Sequence, residues 1–143
     1  MEDESIKKVG QNIKYDYIIF KKYDIELASI EDTMLLSYTL DAGNNRHNMD
    51  TLSEIHLGHK TISYKDLVGT GKKQLNFSDV SLEKATEYAA EDADVTLRLY
   101  EVLSERVDKE KLNKIYEVFE KPMIKILSKL ETNGIKVDDS YLK

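Results

Sequence analysis

The sequence contains no cysteine and no apolar run long enough to cross a membrane. The first absence excludes a disulfide framework and a cysteine zinc site, and the second excludes a transmembrane helix. The acidic residues 1–4 carry no apolar segment of the kind that signal peptides have. A cytoplasmic location is therefore the expectation.

Proline and glycine are also scarce, with one Pro and six Gly in 143 residues. This scarcity argues against long disordered linkers, and the length suits one domain or part of one. A hydrophobic content of 41% is enough to form a core. The net charge of −6 excludes an overall positive field that would attract nucleic acid. A polyanionic partner would therefore need local basic residues or bound cations.

Short strands and helices alternate in the first third of the chain. The patterns predict a strand at 6–10, a polar turn at 11–16, a helix at 17–22, a strand at 25–30 and a helix at 33–38 capped by Asp32. This alternation indicates an α/β chain rather than a helical bundle.

One long helix is predicted over residues 81–107, which are rich in Ala, Leu, Glu and Lys and lack Gly and Pro. At helical spacing, its inner stripe comprises Ala85, Tyr88, Asp92, Val95, Leu99 and Val102. A carboxylate on such a stripe is costly unless it is paired, hydrogen-bonded or bound to a metal. Asp92 is thus either bonded to a neighbour beside a packed Tyr88, or a ligand of a divalent cation with Tyr88 orienting water. Asp94 lies on the charged stripe and is expected to pair with Arg98.

Asn12 and Asp16 form a second candidate group at a strand-to-helix corner. Such corners often bind ligands in open α/β sheets, and Asp16 would supply a second carboxylate. Spacing alone favours the alternative, an ordinary turn and helix cap.

The loop at 69–73 does not match a phosphate-binding loop, because Lys72 is followed by Lys73 rather than by Ser or Thr. Lys72, Lys73 and Arg46 could still hold backbone phosphates. Tyr64, at the start of a predicted helix over 64–68, could stack on a base or pack against the protein.

A last helix is predicted at 123–131, after Pro122. Its inner side is expected to carry Ile124, Ile126, Leu127 and Leu130.

Residues 9–16 and 88–94 resemble the second and third motifs of the 3′–5′ proofreading exonuclease domain of bacterial family A DNA polymerases. Further stretches resemble the same domain, namely residues 32–38, 46–52 and 59–62. Two more, 119–123 and 130–138, look like the passage into the polymerase domain. The resemblance follows nearly the whole chain in order.

This resemblance implies an RNase-H-like fold, in which helices flank a mixed sheet. It also implies two Mg²⁺ or Mn²⁺ ions, held by four carboxylates, that cut the terminal phosphodiester of a single-stranded DNA 3′ end. By position, Asp92 would be a direct metal ligand, Asp16 would support the second metal, and Tyr88 would orient the attacking water. The DNA contacts would be Asn12, Arg46 and Tyr64.

The sequence departs from this family at its start, because no Asp-x-Glu motif on a strand precedes Val9. We therefore expect an incomplete fold that lacks the first sheet strands and half of the metal site. Residues 1–107 would be a partial exonuclease domain, and 108–143 the helical connection and start of the polymerase domain, with the rest of the polymerase as partner. The isolated chain is expected to have little activity and to self-associate through its unpaired strands.

Two other functions stay open from the sequence. One is a non-catalytic scaffold that spaces neighbouring domains or binds single strands. The other is an unrelated α/β interaction module.

Overall fold

The computed structural model describes residues 1–71 and 74–142 and shows a mixed α/β arrangement, as predicted. Its elements, in chain order, are β1 (Lys8–Gly10), α1 (Ile13–Lys21), β2 (Ile30–Asp32), α2 (Thr33–Asp41), α3 (Met49–Leu57), α4 (Tyr64–Val68), a 3₁₀ turn (Phe77–Asp79), α5 (Leu82–Lys109), α6 (Asn113–Ile115), a π-helical turn (Tyr116–Glu120) and α7 (Lys121–Asn133). Among these described residues, no helix combines the length and the apolar character that crossing a membrane requires.

Strands β1 and β2 pair in parallel, with Lys8 opposite Ile30 and Gly10 opposite Asp32. The first strand lies within the predicted range, whereas the prediction of a second strand at 25–30 was wrong. The apolar residues of 25–30 indicate burial, but pairing with β1 decides which residues become the strand. Asp32 caps α2 as predicted, since its carboxylate accepts a hydrogen bond of 2.9 Å from the backbone N–H of Met34.

Helix α1 begins at Ile13, so the prediction of a turn over 11–16 was wrong and Asp16 lies in the first helical turn. The start is fixed from outside the local sequence: the backbone N–H groups of Asn12 and Ile13 donate to the Asp32 carboxylate at 3.0 Å each. Gly10 allows the helix to come close, because a Cβ there would lie 2.9 Å from the Cβ of Ile13.

Helix α5 confirms the long helix predicted over 81–107 and forms one wall of the main core. Its inner residues Val95 and Leu99 are fully buried against Leu36 of α2 and Leu52 of α3. Each such side chain contributes roughly 1.5–3 kcal/mol through burial. The outer stripe carries the predicted ion pair, with 3.3 Å between Asp94 Oδ2 and Arg98 Nη1.

Helix α7 corrects the prediction of its inner side. Of the four predicted inner residues, only Ile124 is buried, and it packs with Ile13 and Tyr17 of α1. The other three predicted inner residues are exposed: Ile126 by 51%, Leu127 by 36% and Leu130 by 60%. The helix carries apolar residues on two faces, and the position of α1 decides which face is covered.

Candidate functional site

A cleft of about 550 Å³ lies beside β1 and contains both carboxylates that the sequence singled out. Asp16 enters it from α1 and Asp92 from α5, while Val9 and Gly10 of β1 line it between them. Lys7 also lines the cleft, and no local signal in the sequence pointed to it. The structure therefore brings the two candidate acids from distant parts of the chain into one concave site.

Asp92 is half-buried, and its Oδ1 atom is buried with no hydrogen-bond partner among the described residues. Burial raises the pKa of this carboxyl; the Tyr88 hydroxyl acts against that shift, while the carboxylates of Glu91 and Asp50 add to it. An unpaired buried carboxylate oxygen is costly, and a bound cation would remove the cost. The donor atom, its burial and its place in the cleft therefore fit a metal ligand.

Asp16 reaches the same cleft from a more solvent-exposed position in the first turn of α1. Desolvation by the surrounding protein nevertheless raises its pKa. Its position differs from the predicted corner, because α1 starts before it, but the helix still directs it to the cleft beside Asp92. Across residues 1–71 and 74–142, no three acidic, histidine or cysteine side chains cluster closely enough to hold a metal ion together.

Tyr88 lies one helical turn before Asp92 on the inner stripe of α5 and is half-buried. Burial, followed by the charge of Asp92, raises the pKa of the Tyr88 phenol to about 12. The phenol is therefore neutral near pH 7 and keeps its proton as a hydrogen-bond donor. The predicted placement of both side chains on one inner face is confirmed.

Asn12 occupies the corner between β1 and α1 in the left-handed conformation, with φ 58° and ψ 48°. Its side chain is exposed and makes no cap hydrogen bond, while its backbone N–H is held by Asp32. Asn12 directly follows Gln11, which lines the cleft, but is not itself among the residues that line it.

Arg46 is exposed in the loop between α2 and α3. The loop is held against the strand-to-helix corner, because the Gln11 side chain donates to the His47 carbonyl at 2.7 Å. In the described part of the chain, Arg46 makes no ion pair, so its charge faces solvent near this corner.

Tyr64 belongs to a group of three aromatic rings that also includes Phe77 and Tyr88. The Tyr64 ring lies 6.1 Å from the Tyr88 ring and 6.3 Å from the Phe77 ring, centroid to centroid. It packs on its neighbours, which was one of the two alternatives predicted for Tyr64, and its ring is also 44% exposed. No local pattern in the sequence marks Phe77, because its partners come from other segments. The predicted DNA contacts Lys72 and Lys73 lie outside the described residues.

Glu91 is a second residue that sequence analysis misjudged, because helical spacing placed it on the solvated stripe. Its carboxylate accepts the backbone N–H of Ile62 at 2.6 Å and lies 2.9 Å from His59 Nε2. Nearby, the Thr61 hydroxyl donates to Asp50 at 2.7 Å. These bonds hold the segment before Tyr64 against α3 and α5, next to the candidate site.

Comparison with known proteins identifies the family of this chain. Residues 1–108 match the family model described as 3′-5′ exonuclease, the exonuclease domain of family A DNA polymerases. The chain belongs to this family. It is 52% identical over 142 residues to a DNA polymerase I of Rhizobium leguminosarum, covering 99% of this chain and 14% of the relative. The resemblance stated from the sequence is therefore confirmed.

Two further relatives show the same pattern. A DNA polymerase I of Pseudomonas aeruginosa is 41% identical over 99% of this chain and 16% of its own length. One of Borreliella burgdorferi is 39% identical over 96% of this chain and 15% of its own length. The chain thus spans about one sixth or less of these relatives, and the alignment continues past the part that the exonuclease family model matches.

Proposed function

We propose that this chain is part of a DNA polymerase and forms much of a 3′–5′ proofreading exonuclease site. The site would hydrolyse the terminal phosphodiester of a single-stranded DNA 3′ end. The observation that carries this proposal is the half-buried Asp92, whose unpaired oxygen lies in one cleft with Asp16 inside the family-matched region.

Asp92 and Asp16 would hold Mg²⁺ or Mn²⁺, since hard cations prefer carboxylate oxygens. Asp92 would be the direct ligand and Asp16 would support the second of two ions. When bound, such ions lower the pKa of water and stabilise the leaving oxygen. The neutral Tyr88 phenol would orient the water by hydrogen bonding next to Asp92.

The DNA strand would be held by groups around the cleft. Asn12 and Arg46 would contact the strand at the corner of β1 and α1, and Tyr64 would contact bases. Lys72 and Lys73 are further candidates for phosphate contacts. Local contacts of this kind suit an acidic chain that has no overall positive field.

We further infer that β1 and β2 belong to a larger RNase-H-like sheet. Strand β2 is buried, whereas β1 is only partly covered and borders two clefts that share Val9, Gly10 and Asp16. Additional carboxylates at that side of β1 would complete the metal site. Residues 1–107 would be the exonuclease part, and 108–143 the connection to the polymerase part.

Calorimetric titration with Mn²⁺ tests the metal site directly. We expect the chain to bind Mn²⁺, and Asp92→Asn and Asp16→Asn each to weaken binding by at least about tenfold. Glu101→Gln is the matched control, because Glu101 is an exposed acid on the same helix as Asp92. Equal Mn²⁺ binding by all four proteins would contradict the proposal and favour the non-catalytic scaffold.

A cleavage assay tests whether further carboxylates are needed. With a labelled single strand and Mn²⁺, we expect the 143-residue chain to trim very slowly, because groups that act as a unit lose most of their rate when one is missing. Robust, EDTA-sensitive trimming from the 3′ end that Asp92→Ala abolishes would show that these residues suffice.

A further inference from the structure

The aromatic cluster of Tyr64, Phe77 and Tyr88 links the candidate site to an exposed apolar surface. The rings of Tyr64 and Phe77 are nearly parallel, with 10° between their planes and 6.3 Å between their centroids. Both contact the edge of Tyr88, at 6.1 Å and 6.3 Å. Tyr88 in turn lies one helical turn before Asp92 on α5, so the aromatic cluster is next in the helix to a residue that lines the cleft.

Two of these rings are more exposed than ordinary packing requires. Tyr64 is 44% exposed and Phe77 is 42% exposed, and the neighbouring Leu75 is 50% exposed. Phe77 has no polar group that explains its contact with solvent. An exposed ring next to a candidate nucleic-acid site is typical of a stacking surface.

Separate hydrogen bonds hold the two rings in place. Helix α4 is capped by the Ser63 hydroxyl, which accepts the Lys65 N–H at 3.2 Å, so the start of the helix at Tyr64 is fixed. The turn at Phe77 is closed by the Val80 N–H, which donates to the Phe77 carbonyl at 3.1 Å. A stacking surface formed before the ligand arrives costs less ordering when the ligand binds.

We propose that Phe77 is a base-contacting residue, which together with Tyr64 forms a platform for the bases of the single strand whose 3′ end enters the Asp92 cleft. This inference rests on the proposed function and extends it to a residue outside both sequence motifs. Phe77 offers only a π-face, so its contact is tolerant of base identity. That tolerance suits a site that must accept any terminal nucleotide.

Strand binding tests the platform through two variants of Phe77. Fluorescence anisotropy of a 5′-labelled oligothymidylate would compare the chain with Phe77→Leu, which keeps apolar bulk, and Phe77→Tyr, which keeps the ring. We expect Phe77→Leu to weaken binding by at least about fivefold and Phe77→Tyr to bind as the unchanged chain does. The salt dependence should stay the same, because no phosphate contact is removed.

Tryptophan fluorescence gives a second readout, because the chain has no tryptophan of its own. In Phe77→Trp the new indole is the single reporter, and a stacked base should quench it when the oligonucleotide is added. Phe119→Trp is the matched control, since Phe119 is 63% exposed and lies on the π-helical turn, outside the candidate site. We expect no quenching in that control.

The outcomes separate this inference from the proposed function. If the chain binds the strand but Phe77→Leu binds equally well and Phe77→Trp is not quenched, Phe77 is not a base contact and only this inference fails. A second outcome would also overturn the inference. If the double variant Tyr64→Leu, Phe77→Leu binds no more weakly than Tyr64→Leu alone, and Phe77→Trp is not quenched, Phe77 only supports the Tyr64 ring. If the unchanged chain binds neither the strand nor Mn²⁺, the proposed function fails together with it.

Discussion

Asp32 is a buried acidic residue outside the cleft that joins the starts of two helices. It is 2% exposed, and its carboxylate accepts the N–H groups of Asn12 and Ile13 at 3.0 Å and that of Met34 at 2.9 Å. One side chain thus fixes the first turns of α1 and α2 at the same end of the sheet. Because α1 carries Asp16, the Asp32 carboxylate also fixes one wall of the candidate site.

We expect Asp32→Ala to lower the free energy of unfolding by at least about 2 kcal/mol, because it leaves buried N–H donors without an acceptor. Asp32→Asn should lose less, since it keeps one acceptor oxygen. Urea unfolding followed by circular dichroism measures both. Asp94→Ala is the control, because Asp94 forms an exposed ion pair that contributes roughly 1 kcal/mol or less. Equal stability of Asp32→Ala and Asp94→Ala would contradict this role.

Burial raises the pKa of Asp32, and the hydrogen bonds from the backbone act against that rise. An acid whose pKa is raised by folding holds its proton more tightly in the folded state than in the unfolded state. As pH rises and the acid ionises, the free energy of unfolding that it contributes therefore falls. The stability that Asp32 contributes should therefore increase as pH falls through its folded pKa.

Residues whose signal is local could be predicted from the sequence. Asp92 interrupts an apolar stripe, and Asp32 precedes a helix as a cap should. No local pattern indicated that Asp32 also accepts the N–H groups of Asn12 and Ile13, or that Glu91 lies against His59. Those contacts join segments far apart in the chain, and no spacing rule brings them together.

At the scale of elements, a charged group around Glu26 connects α1 with α7. Its carboxylate lies 2.7 Å from Lys21 Nζ and 3.2 Å from Lys125 Nζ, and accepts the Tyr17 hydroxyl at 2.5 Å. Lys21 and then Tyr17 hold the pKa of Glu26 at about 2. The Glu2 side chain accepts the Glu26 backbone N–H at 3.1 Å, so a further acid faces this group.

A lowered pKa means that the ionised Glu26 stabilises the folded state above its unfolded pKa and loses that contribution as pH falls toward about 2. We expect Glu26→Gln to be less stable than the unchanged chain at pH 7, by less than about 1 kcal/mol because the group is half-exposed. The difference should vanish near pH 2. Urea unfolding across this pH range measures it, with Glu101→Gln as the control. A difference that persists unchanged at low pH would contradict the assignment.

The helices and strands differed in how well their own residues predicted their bounds. Helix α5 was predicted well because its composition and its stripe agree over many turns. The start of α1 and the position of β2 were missed, because Asp32 and the pairing with β1 decide them. For α7 the periodicity was real, but the side that faces α1 holds Ile124 rather than the stripe of Ile126 and Leu130.

At the scale of the whole molecule, β1 lies at an edge of the two-stranded sheet that the described residues form. Strand β2 is buried on its own side, where the Asp32 N–H donates to the Tyr116 hydroxyl at 3.1 Å. Strand β1 has one pairing partner in the part of the chain that the structure describes. Unpaired strand edges pair readily with other chains.

We expect the isolated chain to self-associate through this edge as its concentration rises. Size-exclusion chromatography with light scattering would show the change in mass. Val9→Lys should keep the chain monomeric, because an added charge at an edge strand blocks pairing. Leu130→Lys is the matched control on the exposed face of α7. A monomer at all concentrations would contradict the prediction, and dissociation by Leu130→Lys alone would place the contact on α7.

Tyr116 sets a practical limit on where the protein can be shortened. Its ring lies in the main core, and its hydroxyl donates to Glu31 at 2.9 Å while accepting the Asp32 N–H. Lys121 adds a second bond to Glu31, also at 2.9 Å. An expression boundary chosen at residue 108, where the family match stops, would remove Tyr116 and Lys121. The side of β2 that they cover would then be exposed to solvent. Any recombinant version meant for crystals or assays should therefore keep the helices that follow.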